Sequence, residues 1–479
     1  MPGTNPPFRD RSSGTAFSRP LLLGHLPLVI LLILTIVAAV SLIERMGLSA
    51  AALDGNGNAG RLTPPIAFRP AGADQRARPG AVGAGTVLSP TAYLPIVFSP
   101  PPDLKELITE VTVALPHPLA EATGSFCTWG GCSLSPRLYH EPLADGRTFV
   151  GWTDSDGNGH VSVLSGNAIE RTFDFPAEPV RGLVVHSDGA FAVLLWHPDS
   201  DVIYLSKRKA NGDAIWTTNL NSTIAVADFW LGDSRLAYGN GLYIAYFTVR
   251  GVVGGSTGHY GDQLTYVDDG GHIQPGGWDW GCSHSLAQLV GYHPDLDQFM
   301  SICSSDCYPG KGIFANGNQV YQADGNCGGC ASAQLGQIAL GERSWKLAFS
   351  ALDEPCCDGR GIGLATIDEN DHSSFKWLTN TNGGYERDPV IARLGPGLPA
   401  NRYLVGWTTI NDHAYWLAVI DGAGNFVAGP EEVASAGARW GNRDDSFRTR
   451  TDGSVSWVQG EPASTGLHLF RFDGSAYLP

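Results

Sequence analysis

The chain has 479 residues, more than one ordinary core covers, with 61 glycines and 31 prolines spread along it. Its formal net charge of −16 at pH 7 argues against a nucleic-acid phosphate backbone as partner, because such partners demand clustered cations. Cations, basic surfaces and neutral glycans remain compatible with it.

Residues 1–19 are polar and carry Arg9, Arg11 and Arg19; Leu21–Leu42 then runs apolar, broken by Gly24, His25 and Pro27. A run of this length spans a bilayer, whereas a cleavable signal has an apolar part of only about 7–15 residues. The arginines ahead of it place the amino terminus in the cytoplasm. The expected order is a cytoplasmic tail over 1–19, a single-pass transmembrane signal-anchor over 20–44, and everything later outside the cytoplasm at the cell membrane. Ser49-Ala50-Ala51-Ala52 also offers a cleavage site, which would leave the remainder secreted. Residues 45–109 read as a disordered linker: Gly, Ala and Pro dominate, and no apolar period would let it bury a core. Within it Ala92-Tyr93-Leu94-Pro95-Ile96-Val97-Phe98 resembles the Tyr-Leu-Pro-aliphatic segment that follows the signal in exported proteins of some filamentous bacteria. That resemblance implies a bacterial, exported protein.

From 110 onward one short apolar run recurs roughly every 40–60 residues. Its copies are Thr148–Trp152, Phe191–Trp196, Leu242–Phe247, Asp297–Ile302, Trp345–Phe349, Arg402–Trp407 and Ser454–Trp457. Aromatic and β-branched residues of this kind suit packed strands. A second apolar run follows each copy (His160–Leu164, Val202–Leu205, Gln263–Val267, Lys311–Phe314, Gly361–Ile367, Tyr415–Ile420, Gly466–Phe472), commonly ending in a turn such as Asp268-Asp269-Gly270-Gly271 or Asp421-Gly422-Ala423. A third run precedes it, as in Val180–Val185, Arg235–Tyr238, Ser285–Gly291, Leu335–Leu340 and Pro389–Leu394. With a fourth, less regular strand, each repeat is a four-stranded blade whose edges the ring protects. Residues 110–479 are therefore expected to form an all-β, seven-bladed β-propeller of about 53 residues per blade. Glu110–Leu115 alternates like a strand and is expected to complete the last blade.

All nine cysteines follow the anchor, where disulfides are the default. In such a blade the innermost strand begins, and the second strand ends, on the same face. Cys132, Cys282 and Cys330 precede innermost strands, while Cys303, Cys307, Cys356 and Cys357 follow second strands, so they gather on that face. Cys282 can reach Cys303 or Cys307; Cys327 or Cys330 can reach Cys356 or Cys357; Cys127 and Cys132 form a local clip. Alternatively, the Cys327-x-x-Cys330 pair and Cys356-Cys357 hold zinc.

The same face collects Trp278-Asp279-Trp280, His284, and His259-Tyr260-Gly261-Asp262. Aromatic rings stack on sugars or hold cations, and carboxylates bind hydroxyls, so this set suits a glycan or a cationic peptide. Read structurally, the tryptophans seal a blade seam and the histidines satisfy buried backbone. Innermost strands open with Arg137, Arg181, Arg235, His284, Gln334 and Asp388, a mixed polar set expected at the channel mouth. Asp154-Ser155-Asp156-Gly157-Asn158 fits the opening of a calcium loop, with Asp154, Asp156 and Asn158 as ligands. Ser165 stands where an EF-hand needs glutamate, so the choice is a calcium-bearing β-hairpin loop or a hydrogen-bonded turn.

Ala144-Asp145-Gly146-Arg147-Thr148-Phe149-Val150-Gly151-Trp152 and Ser187-Asp188-Gly189-Ala190-Phe191-Ala192-Val193-Leu194-Leu195-Trp196 resemble the unit of a family of bacterial secreted β-propeller repeats, in which Asp-Gly precedes Tyr-Leu-Val-x-Trp. The resemblance spans roughly residues 130–479 and implies fold far more than function. Sialidase-type boxes and His-Glu-x-x-His helices are absent from the sequence. The expectation is a binding module whose top face meets a glycan or cell-surface protein. The alternatives are a carbohydrate-active hydrolase or lyase drawing on Asp262, Asp279, Glu386, Asp388 and Asp444 as acid/base pairs with His259, His284 or Tyr260 as proton carriers, and a structural surface protein.

Overall fold

The computed structural model describes residues 102–120, 137–221, 225–227, 232–253, 256–284, 287–323, 333–352, 360–379, 385–395, 401–409, 414–440 and 447–478. The tail, the apolar run and nearly all of the linker lie outside them. Among the described residues no helix is long and apolar enough to cross a membrane.

Seven antiparallel sheets follow one another along the chain. Blade 1 comprises Tyr139–Pro142, Arg147–Thr153, Gly159–Ser165 and Ala168–Phe175. Blade 2 comprises Val180–Val185, Phe191–His197, Val202–Arg208 and Ala214–Asn219. Blade 3 has Ser234–Gly239, Ile273–Trp278 and a long middle pair, Leu242–Val253 with Ser256–Asp268, whose extension also pairs with Ala225–Ala227. Blade 4 is built from Gln288–His293, Gln298–Ser305, Gly312–Ala315 and Asn318–Gln322, and blade 5 from Ala333–Leu340, Ser344–Leu352, Arg360–Asp368 and Ser373–Trp377. Blade 6 takes Glu386–Leu394, Arg402–Thr409, Ala414–Asp421 and Phe426–Glu432.

Blade 7 closes the ring. Its three inner strands, Arg448–Thr449, Val455–Gly460 and Gly466–Phe472, come from the chain's end, while Ile108–Ala114 pairs with Gly466–Phe472 as the outermost strand. The strand expected around Glu110–Leu115 thus closes the circle. Every copy of the recurring apolar motif lies in a second strand or at its edge. The motif is nearly continuous because these strands are covered on both faces: Phe191 through Leu195 are all fully buried.

Apolar side chains of the described residues gather into seven clusters, one per seam between neighbouring blades. The seam between blades 7 and 1 joins Val113, Leu138, Trp152, Val458 and Leu467. The smallest seam, between blades 3 and 4, holds Ile244, Tyr246, Leu264, Phe314 and the sulfurs of Cys282 and Cys303. Turns on the opposite face repeat one device: Asp268, Asp368 and Asp421 each accept the backbone N–H groups two and four residues ahead through one carboxylate oxygen.

Candidate functional site

The face where innermost strands begin carries three polar groupings. The first sits over blades 3 and 4. A disulfide joins Cys282 to Cys303, as the shared face of the two strand ends requires, and Cys307 is disulfide-bonded as well. Beneath it Asp262 is fully buried; it accepts the indole N–H of Trp278 at 3.0 Å and the backbone N–H of Cys282 at 3.2 Å. Asp262 lies beside both sulfurs, but the sulfurs are bonded to each other and offer no thiolate to a metal. Trp280 presses on Gly261, where an added Cβ would meet the ring at 2.4 Å. Trp278 therefore packs in this seam and Trp280 in the one between blades 2 and 3, both half-buried, while Asp279 between them is exposed.

Above this seam His259 and His284 meet edge to face, ring centroids 5.5 Å apart. The His284 backbone N–H donates to the carbonyl of Tyr260 at 2.9 Å, and its Nδ1 lies 3.1 Å from Oδ2 of Asp306. Asp306 is 6% exposed, and its Oδ1 has no hydrogen-bond partner among the described residues. His284 adopts φ +48°, a left-handed conformation uncommon for a side-chain-bearing residue and frequent where geometry is functional. The structure thus brings His259, Tyr260 and His284 together and adds Asp306, which the sequence reading missed. The cue was its place directly after a second strand, four residues beyond Ile302.

The second grouping lies over blades 1–3. Arg137 and Arg235 both meet Asp233, at 3.8 and 2.7 Å, and all three side chains are nearly buried. Arg181 lies over the Trp196 ring at 5.0 Å; burial, and next the charge of Arg137, pull it down to about 9. Tyr139 feels the same four charges, and burial raises its hydroxyl above the usual tyrosine range. A cleft of about 410 Å³ opens here, lined by Arg137, Arg181, Trp196, Pro179, Thr153 and Ser155 among others. Asp233 was not anticipated, although Gly232-Asp233-Ser234 immediately precedes an innermost strand.

The third grouping belongs to blade 6. Asp388 is buried, accepts hydrogen bonds from Gln334 Nε2 and Thr408 Oγ1 at 2.9 Å each, and has φ +51° at a strand bulge. Burial raises its carboxyl above the ordinary aspartate value. Neighbouring Glu386 accepts from the Thr379 hydroxyl. Asp388 is therefore not part of the arginine grouping, nor of the histidine grouping.

The expected calcium ligands are arranged as a turn. Asp154 is buried, and its oxygens accept the backbone N–H groups of Asp156 and Asn158, the Asn158 side-chain amide, and His160 Nε2 at 3.1 Å. Burial raises its carboxyl, but these donors more than offset that, and the carboxyl is held below the ordinary range. Asn158 Oδ1 accepts from the Ala177 N–H, and Asp156 is exposed. This is the device seen at Asp268, Asp368 and Asp421, placed on the other face. Cys127, Cys132, Cys327, Cys330, Cys356 and Cys357 lie outside the described residues.

No protein-family model and no curated protein sequence matches the chain. Solved structures match along the ring, among them Penicillium chrysogenum α-L-arabinanase complexed with arabinobiose (10% identity, TM-score 0.43) and BBS1N in complex with ARL6DN (12% identity, TM-score 0.39). Each of these matches covers 76% of this chain and 98% of the other. At such identities they carry nothing about function, and the propeller rests on the strand order itself.

Proposed function

We propose that this is an exported propeller, tethered to the membrane through residues 20–44, that binds a glycan or a cell-surface protein on the face where its innermost strands begin. The observation that carries the reading is the histidine shelf: His259, His284 and Asp306 sit in contact above a seam fixed by a disulfide, with exposed Asp279 alongside. Exposed polar groups held on a rigid scaffold are the usual makings of a recognition surface. Nucleic acid is not a partner in this reading, given the acidic charge.

A hydrolase or lyase is the second reading, and one contact favours it. An imidazole oriented by a buried carboxylate is the geometry of a general base. A glycan-array screen with product analysis, run with and without calcium, separates the two. A hit that survives intact and weakens in Asp279→Asn supports the binding module. A hit that is degraded, with turnover lost in His284→Ala, moves His284 and Asp306 to catalysis. No glycan hit at all would discard the glycan and leave a protein ligand.

A further inference from the structure

Three successive blades deliver arginines to one place near the channel mouth. Arg137 and Arg181 line the cleft, and Arg235 pairs with Asp233, which Arg137 also faces. A buried acid can escape its burial by taking up a proton, but a guanidinium stays charged at neutral pH. The cleft thus holds two guanidiniums against the one carboxylate that lines it among the described residues, Asp154, inside a chain of net charge −16, and its low-dielectric walls strengthen the excess positive field. One donor there points to an acceptor from outside. Arg137 Nη2 donates to the Gly232 carbonyl, whereas Nη1 is buried and has no hydrogen-bond partner among the described residues; the Arg137 side chain is 9% exposed. Nη1 lies 3.8 Å from Asp233, beyond hydrogen-bond reach.

We propose that this cleft binds the carboxylate of a sugar acid. A planar carboxylate accepts two parallel N–H bonds from a guanidinium, which a neutral hydroxyl does not. The volume of about 410 Å³ lies within the range of about 300–1,000 Å³ typical of small-molecule sites. Its walls suit the rest of a sugar: Trp196, Pro179 and Val180 are apolar, and Thr153 and Ser155 offer hydroxyls. Arg181 is already held over the Trp196 ring, so little rotamer freedom is lost on binding.

This inference rests on the wider reading of the face as a ligand surface, yet its test needs only a small acid. Galacturonic acid, galactose and sodium sulfate are titrated calorimetrically into the full-length chain. Saturable binding of galacturonate, absent for galactose and weakened at least about tenfold in Arg137→Gln, is the expected result. Equal binding of galactose, or of sulfate, overturns the sugar-acid assignment, as does unchanged affinity in Arg137→Gln. Should Arg137→Gln fail to fold, Arg137→Lys decides: it keeps the charge and loses the fork, so unchanged affinity there overturns the proposal and a loss sustains it. Galacturonate binding in a protein with no glycan-array hit preserves this inference and removes the wider one. An array hit indifferent to charge does the reverse.

Discussion

The two sides of the channel mouth solve the burial of charge in opposite ways. On blades 1–3, Arg137, Arg181 and Arg235 surround Asp233; on blade 6, Asp388 is met by the neutral groups of Gln334 and Thr408. Between them, blades 4 and 5 open with Gln288 and Gln334, both buried. The ring thus passes from cation through amide to acid. The acid side relieves itself, because burial raises the Asp388 carboxyl toward its neutral form. The arginine side has no such exit, so its charge must be answered by another charge. Asp233 gives part of that answer from within the fold, and the cleft offers the place for an external one.

The hardest blow to this contrast comes from removing Asp233. Asp233→Asn strips the carboxylate from two buried guanidiniums and is expected to cost about 3–5 kcal/mol, read as a lowered urea midpoint. Asp388→Asn is expected to stay within about 1 kcal/mol of the parent at pH 7, since its hydrogen-bond partners are neutral and burial outweighs the pull of Arg387 and Arg360. Equal costs at the two positions would erase the distinction.

Opposite pH signatures sharpen it further. On the cationic side His140 donates to the Ser456 carbonyl, and burial first, then Arg448, lower it to about 3. Its folded value lies below its unfolded value of about 6.5, so its stabilisation is full above pH 6.5 and is lost as pH falls toward 3. That amounts to roughly 3 kcal/mol by pH 4.5. A His140→Gln protein should show a shallower loss between pH 7 and 4.5, whatever its starting stability. Asp388 runs the other way: its folded value is raised, so it favours the fold below about pH 3.9 and loses that contribution as pH rises through the raised value. The advantage of Asp388→Asn over the parent should therefore grow from acid to neutral pH. A flat difference would show that the carboxyl stays ionised.

The architecture was legible because it rests on repetition. Runs such as Phe191–Trp196 and Arg402–Trp407 carry the burial of second strands, which no other period explains, and their spacing gives the blade count. The disulfide was legible for the same reason, once Cys282 and Cys303 were placed at two strand ends on one face. The roles of single residues were less so. Trp278 reads equally as a seam residue or a ligand platform and Asp262 as a ligand group, and the indole N–H is spent on the buried carboxylate; composition alone does not reveal which way a side chain turns. Asp233 and Asp306 were missed because each is one acid among many in loops, and their significance comes only from the arginines and the histidine brought to them in space.

The smallest effect is expected at Asp154, which borders the arginine cleft and is the one carboxylate of its lining among the described residues. Its oxygens already accept N–H donors from Asp156, Asn158 and His160. Despite burial these donors keep its carboxyl ionised, so its charge offsets part of that of Arg137 and Arg181 without matching both. A calcium ion would have to displace them before gaining a ligand. Neither millimolar calcium nor a chelator should then shift Tm, and neither should change the affinity of the cleft for galacturonate. A calcium-dependent rise in Tm that disappears in Asp156→Asn would restore the metal loop. A matching loss of galacturonate affinity would mean that the turn opens, and that the arginine side is tuned by a cation after all.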